Sequence, residues 1–162
     1  MTEPTANDVV VEDAPDRVER RSIVVSASAS DIFDLLADPG RHHEIDGSGT
    51  VRDSSGSAPQ RLSADAKFGM KMRMGVPYRM TNTVVDFVEN ELLAWRHIGG
   101  HVWRYTLEDL GNGTTKVTEE FDWRPARFPP GLQLIKAPQQ NAESIEKTLV
   151  RMAELFADTT SS

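Results

Sequence analysis

Five consecutive strands joined by short turns constrain the fold of this chain more than any other feature. In most of these segments, side chains of one character recur with the period of two that is typical of a half-buried strand. The turns between the segments contain Gly, Pro or Asn, and strands joined by such short turns pair antiparallel. The sequence therefore predicts an antiparallel meander with strands at 65–74, 78–88, 92–98, 101–109 and 115–124.

The segments outside the meander predict two further strands and one long helix. Residues 18–26 and 49–53 read as strands, and a capping-box-like start at Ser28 opens a short helix between them, with a further helical turn at 41–45. A helix at 139–157 would be about 28 Å long, enough to cross a sheet. The predicted fold is α+β: a curved antiparallel sheet of six to seven strands wrapped around a long C-terminal helix, with one or two short helices after the first strand.

Charge is concentrated at the N-terminus. Residues 1–16 hold five acidic side chains and no Lys or Arg, whereas the remaining residues hold 18 basic and 20 acidic side chains, a net charge of −2. Such a polar, acidic leader is typical of a disordered tail. We therefore expect a tail at 1–17, one domain at 18–157 and a second disordered tail at 158–162.

Composition excludes several classes of function. The near-neutral body gives no electrostatic basis for binding nucleic acid. No apolar run approaches the ~20 residues of a membrane helix, so stable membrane insertion is not expected. Cysteine is absent, and the N-terminus lacks the pattern of a secretory signal. We expect a cytoplasmic protein that is a monomer or a weak homodimer, without a cofactor.

A methionine alternation marks the first strand of the meander. It places Lys71 and Arg73 on one side of the strand and Phe68, Met70, Met72 and Met74 on the other. Methionine packs adaptably and specifies a core poorly, so the pattern suits either gap filling or a wall that moulds itself around an apolar ligand. Since one helix cannot cover a whole curved sheet, we favour the ligand wall.

The next hairpin predicts a cluster of aromatic side chains. A three-residue turn at 98–100 would pair Trp95 with Trp103 and His97 with His101, with Gly100 in the left-handed conformation. A two-residue turn would put these side chains on opposite faces. We predict the three-residue turn because it gathers the apolar residues on one face.

The last strand of the meander predicts an inward carboxylate. Glu119 shares its parity with Val117, Phe121 and Trp123, while the other parity, 116 to 124 in steps of two, reads as a solvent face. A carboxylate among aromatic rings is costly without a partner. Strand 78–88 stays undecided, because its two turns favour opposite faces. Either one turn differs in length or the strand carries a bulge.

The order of these elements resembles the START/Bet v 1-like superfamily, and its bacterial polyketide cyclase/dehydrase and lipid-transport branch in particular. The similarity spans about residues 18–157 and is carried by the segments 35–42, 91–97, 103–105 and 113–119. It implies a helix-grip fold around a deep apolar cavity. It implies no catalytic signature, since members include aromatase/cyclases, carriers and chaperone co-factors.

Three functions remain open from the sequence. The favoured one is binding or transport of a small hydrophobic ligand without chemistry. The alternatives are a polyketide cyclase or dehydratase, with Glu119 as general acid/base assisted by Tyr105 or His97, and a protein-binding module of the chaperone co-factor type. The predicted ligand wall is Met70, Met72, Met74, Tyr78, Trp95, Trp103, Tyr105, Glu119, Phe121, Ile145, Leu149 and Met152.

No metal site is predicted. Adjacent His42 and His43 cannot readily converge on one ion, so we interpret them as part of a polar loop near the cavity mouth. His97 and His101 would lie side by side at a hairpin tip, but no third ligand is evident.

Overall fold

The computed structural model describes residues 4–5, 8–45, 51–54, 61–74, 76–97, 100–125 and 137–160. Side chains are described within these ranges except at 40, 43, 51–54, 69–74, 76–80, 137–138 and 158–160.

The elements of the described chain are β1 (Val10–Val11), β2 (Val18–Val25), α1 (Ala29–Leu36), a 3₁₀ helix (Pro39–Glu44), β3 (Val51–Ser54), β4 (Lys67–Met74), β5 (Val76–Val88), β6 (Leu92–His97), β7 (Val102–Gly111), β8 (Thr114–Asp122) and α2 (Ala137–Thr160). The strands form one antiparallel sheet in the order β1-β2-β8-β7-β6-β5-β4-β3. The predicted fold class is confirmed, and α1 begins as predicted, since the Asp31 amide donates to Ser28 Oγ at 3.1 Å.

The two-residue strand β1 is an addition that the sequence did not predict. It lies in the acidic leader and pairs Val10 with Ser22 and Val11 with Arg21 of β2. Glu12 holds it there: its Oε1 accepts a 2.6 Å hydrogen bond from Ser22 Oγ and lies 3.2 Å from Lys116 Nζ. This part of the leader thus extends the sheet beyond β2.

The hairpin β6–β7 has the predicted register. Trp95 pairs with Trp103 and Leu93 with Tyr105. The His97 amide donates to the His101 carbonyl at 2.8 Å, and Gly100 has a φ of 102°. This left-handed conformation favours glycine, so the sequence specifies the register through Gly100.

A bulge in β5 resolves the strand that the sequence left undecided. Asn82 pairs with both Phe68 and His97, whereas Phe87 pairs with Leu93 after a register shift between Val84 and Asp86. Both turns therefore keep their preferred pairing, on opposite sides of the bulge.

Helices pack against two parts of the concave face. α2 packs against β2 and β8 through fully buried residues, among them Ile145, Leu149 and Met152. α1 and the 3₁₀ helix pack on another part of the face, where Phe33 contacts Phe87 edge-on with ring centroids 5.3 Å apart. The hydrophobic core lies between these helices and the sheet.

The outer face of β8 differs from its predicted exposure. Glu120 and Asp122 are only 8% and 3% exposed, although their parity is that of the solvent face. Arginines cover them: Glu120 binds Arg20 at 2.7 Å and Arg104 at 2.8 Å, and Asp122 binds Arg124 at 2.8 Å. Two carboxylates are thus buried by paired cations from the chain itself.

Candidate functional site

Three rows of side chains cross the concave face, each defined by the strand register. The carboxylate row contains Arg21, Glu119 and Tyr105, which are Cα partners across β2, β8 and β7. The aromatic row contains Phe121, Trp103 and Trp95 across β8, β7 and β6. The histidine row contains His101, which directly precedes β7, His97 at the end of β6, and Asn82 on β5.

The aromatic row presents rings from three neighbouring strands. The Trp103 and Phe121 centroids are 4.9 Å apart, and Trp95 lies 5.7 Å from Tyr105 of the neighbouring row. Phe121 is fully buried, whereas Trp95 and Trp103 are half-buried. Two large indoles on the concave face therefore keep surface that a ligand can contact.

The histidine row places two imidazoles face to face, as predicted. The His97 and His101 rings are 4.3 Å apart and within 13° of parallel, and His101 meets Phe121 edge-on at 5.1 Å. Burial lowers the pKa of His97, and burial together with the neighbouring His97 lowers the pKa of His101 to about 4. Both rings are therefore neutral at pH 7.

The carboxylate row contains two deeply buried polar side chains. Glu119 is 2% exposed and Tyr105 is 6% exposed, which confirms the inward orientation of Glu119. Arg21 projects from β2 towards α2, and its Nε donates to Glu146 Oε1 at 3.1 Å. Its Nη2 lies 3.4 Å from Oε2 of Glu19 on the same strand. Arg21 was not among the predicted site residues, although its parity with the buried Ile23 and Val25 would have placed it on this face.

The three residues considered for catalysis do not all come together. Tyr105 and Glu119 are direct cross-strand partners. His97 lies four residues along β6 from Leu93, the partner of Tyr105, which separates it from the carboxylate row by about 13 Å. The aromatic row lies between them, so one small substrate group cannot contact both His97 and Glu119.

The predicted ligand wall divides into parts. Phe121, Ile145, Leu149 and Met152 are fully buried, so they form core that a ligand reaches only after displacement. Among the described members of the predicted wall, Trp95 and Trp103 keep contactable surface, and the half-buried histidine row lies next to them. Met70 pairs with Met80 and Met72 with Tyr78 in the backbone register. The side chains of Met70, Met72, Met74 and Tyr78 lie outside the described residues.

His42 lies in a different environment from the predicted polar loop. It is 7% exposed, its Nε2 is 2.7 Å from the Leu36 carbonyl oxygen, and its ring stacks on Trp95 at 5.2 Å. Phe68 approaches the same ring edge-on at 6.0 Å. The sequence could not predict that His42 is buried, because a short 3₁₀ helix does not have the repeated apolar spacing that identifies the buried face of a longer helix.

Two negative findings concern only the described part of the chain. Its histidines and carboxylates include no group of three or more that could hold a metal ion. Neither α1 nor α2, nor any shorter helix described, combines the length and apolar character needed to cross a membrane.

The fold and the concave aromatic face are those of a helix-grip protein, and the comparisons with known proteins agree. The chain belongs to the family described as polyketide cyclase / dehydrase and lipid transport, whose model matches residues 17–157. It is 41% identical over 153 residues to the uncharacterized protein Rv0088 of Mycobacterium tuberculosis. The match covers 91% of this chain and 67% of that relative, so the chain spans about two thirds of the relative's length.

Solved structures share the fold at low identity. The Polyketide_cyc-like protein Cgl2372 of Corynebacterium glutamicum superposes with a TM-score of 0.61 at 19% identity, covering 92% of this chain and 96% of that chain. The di-domain ARO/CYC protein BexL from the BE-7585A biosynthetic pathway gives a TM-score of 0.66 at 15% identity, covering 90% of this chain and 48% of that chain. At these identities the similarity establishes the fold alone.

Proposed function

We propose that this protein binds a small hydrophobic ligand on the aromatic row, as a carrier without chemistry. The observation that carries the proposal is the pair of half-buried indoles, Trp95 and Trp103, which lie beside the fully buried Phe121 on the concave face. Exposed aromatic surface in a concave site is the usual basis for binding apolar molecules. The family description, which includes lipid transport, supports the same function.

Native mass spectrometry of the freshly purified chain, followed by solvent extraction, tests this proposal. We expect an added mass that extraction removes and that organic-phase analysis identifies as an apolar compound. Trp103→Ala should reduce the ligand-bound fraction, whereas Thr106→Ala, an exposed position on the same strand, should not. A ligand-free mass, with no thermal shift across a panel of lipids and aromatic compounds, would contradict the proposal.

A second candidate function is a polyketide cyclase or dehydratase centred on the carboxylate row. Tyr105 lies directly opposite Glu119, and both are buried, so a carboxyl and a phenolic hydroxyl, groups used in general acid/base catalysis, lie together away from water. BexL, an ARO/CYC protein of a biosynthetic pathway, has the same fold, and this supports the chemistry as an alternative.

Glu119→Gln separates the two functions. An acid/base enzyme should lose about 100-fold or more in turnover of a polyketide-like substrate, whereas a carrier should keep its ligand affinity within a few fold. Glu108→Gln is the matched control, because it makes the same change at an exposed position of β7. Full turnover in Glu119→Gln would exclude the catalytic role of this carboxyl.

A further inference from the structure

We propose that the histidine row selects the ligand, and that the preferred ligand is a flat, uncharged aromatic molecule carrying a hydroxyl group rather than an acyl chain or a carboxylate. This inference rests on the proposed binding function and names the chemical class of its ligand.

The shape preference follows from the rings that remain contactable. Trp95 and Trp103 are half-buried, and so are the two histidines beside them. Trp95 already stacks on His42 within 19° of parallel, and His97 on His101 within 13°. A planar ligand can continue such stacks with both of its faces, whereas a flexible acyl chain gains only apolar contact and loses conformational freedom on binding.

The preference for a hydroxyl follows from the neutral state of the imidazoles. A neutral imidazole offers one acceptor nitrogen and one N–H donor, and burial holds both rings in this state by lowering the pKa of His97 and of His101. A phenolic hydroxyl matches the His101 imidazole, because it can donate to the acceptor nitrogen or accept from the N–H group. Asn82, 6% exposed and opposite His97, adds a polar group to the same row.

The surrounding charges disfavour a carboxylate ligand. Arg21, the cation on the neighbouring carboxylate row, is already paired with Glu146 and Glu19. Glu19 is the register partner of Phe121, which brings an acidic side chain to the end of the aromatic row. Arg17, beyond it, lies over the Trp123 ring at 5.6 Å. A carboxylate bound at the histidine row would thus meet two uncharged imidazoles, while Arg21 is already paired.

Four compounds test the inference by isothermal titration calorimetry at pH 7: 2-naphthol, 2-methoxynaphthalene, 2-naphthoate and decanoate. All four have an apolar body. 2-Methoxynaphthalene lacks the hydroxyl donor of 2-naphthol, 2-naphthoate carries a negative charge, and decanoate is both charged and non-planar. We expect 2-naphthol to bind about fivefold to tenfold more tightly than 2-methoxynaphthalene, which lacks the donor. The two carboxylates should bind more weakly than both.

Two variants locate the preference. His101→Phe keeps a ring in the stack and removes the hydrogen-bonding nitrogens, so 2-naphthol should fall to the affinity of 2-methoxynaphthalene. Thr106→Ala should change neither affinity. If His101→Phe fails to fold in a thermal melt, His97→Phe takes its place, and the ranking of the four compounds on the unaltered chain still decides the ligand class.

The outcomes separate this inference from the proposed function. Decanoate or 2-naphthoate binding as tightly as 2-naphthol would overturn the ligand class while leaving apolar binding intact. A 2-naphthol preference that persists in both folded histidine variants would overturn the role of the histidine row. Failure of all four compounds to bind would count against the inference and the proposed function together.

Discussion

Acid should destabilise this protein through His101, and the structure sets the size of the effect. In the unfolded chain the imidazole takes up a proton near its ordinary pKa of 6.5, whereas in the folded protein burial and His97 lower its pKa to about 4. Between these values the unfolded state binds more protons than the folded state. Stability should therefore decrease as the pH falls from about 6.5 to about 4, and this contribution should change no further below that.

The upper limit of this loss is about 3 kcal/mol, because each tenfold difference in proton affinity is worth about 1.4 kcal/mol. Solvent reaching the half-buried ring reduces the real value, and we expect a loss of about 1 to 3 kcal/mol. The effect is a substantial fraction of the ~5–15 kcal/mol by which a folded domain is typically stable. This loss of stability should be measurable in the ligand-free protein.

Urea denaturation at pH 7, 5.5 and 4.5 measures this contribution in the unaltered chain and in His101→Gln. Other groups also titrate: hydrogen bonds from Arg124 outweigh burial and hold the pKa of Asp122 below its usual range, so that carboxylate loses stabilisation at lower pH. The two chains share this loss, and their difference isolates His101. We expect His101→Gln to lose less stability on acidification. Equal acid sensitivity in both chains would refute the assignment of a buried, neutral His101.

Three further substitutions test the packing around the site. Leu149→Ala opens a cavity in a fully buried position of α2 and should cost about 2–5 kcal/mol in urea denaturation; a cost below about 1 kcal/mol would argue against close packing of α2 on the sheet. Arg104→Met leaves the buried Glu120 with Arg20 as its ion-pair partner and should lower the free energy of unfolding by about 1–3 kcal/mol. The same substitution should cost less in a Glu120→Gln background. An unchanged free energy of unfolding in Arg104→Met would mean that the ion pair does not stabilise the fold. Glu12→Gln removes the charge that holds β1 to Lys116 and should speed amide hydrogen exchange in β1 without affecting β7, whereas unchanged exchange would show that backbone pairing alone holds the leader.

The fold could be predicted from the sequence because its signals are local. Short turns specify antiparallel neighbours, and the glycine at position 100 favours the left-handed conformation that the β6–β7 register needs. The bulge in β5 could not be located from the sequence, because the turn before the strand and the turn after it favour opposite facings of its residues. The position of the shift, after Val84, depends on how β5 pairs with β4 and β6 at the same time, which a local pattern does not show.

The site was predictable to the extent that strand parity determines it. Parity oriented Glu119 and Phe121 correctly, and it brought His97 beside His101. It could not show that Phe121 and the α2 stripe pack without contactable surface, because that depends on how closely the helix approaches the sheet. Nor could it show the burial of His42 against Trp95 or of Glu120 beneath two arginines, since these contacts join distant segments.

The indole N–H signals in a ¹H–¹⁵N NMR titration with 2-naphthol test ligand binding on the aromatic row most directly. The chain has three tryptophans, and Trp→Phe variants assign one signal to each. We predict that saturable shifts will be largest for Trp95 and Trp103 and small for Trp123, which is 5% exposed. No shift, or saturable shifts confined to Trp123, would contradict binding on the aromatic row.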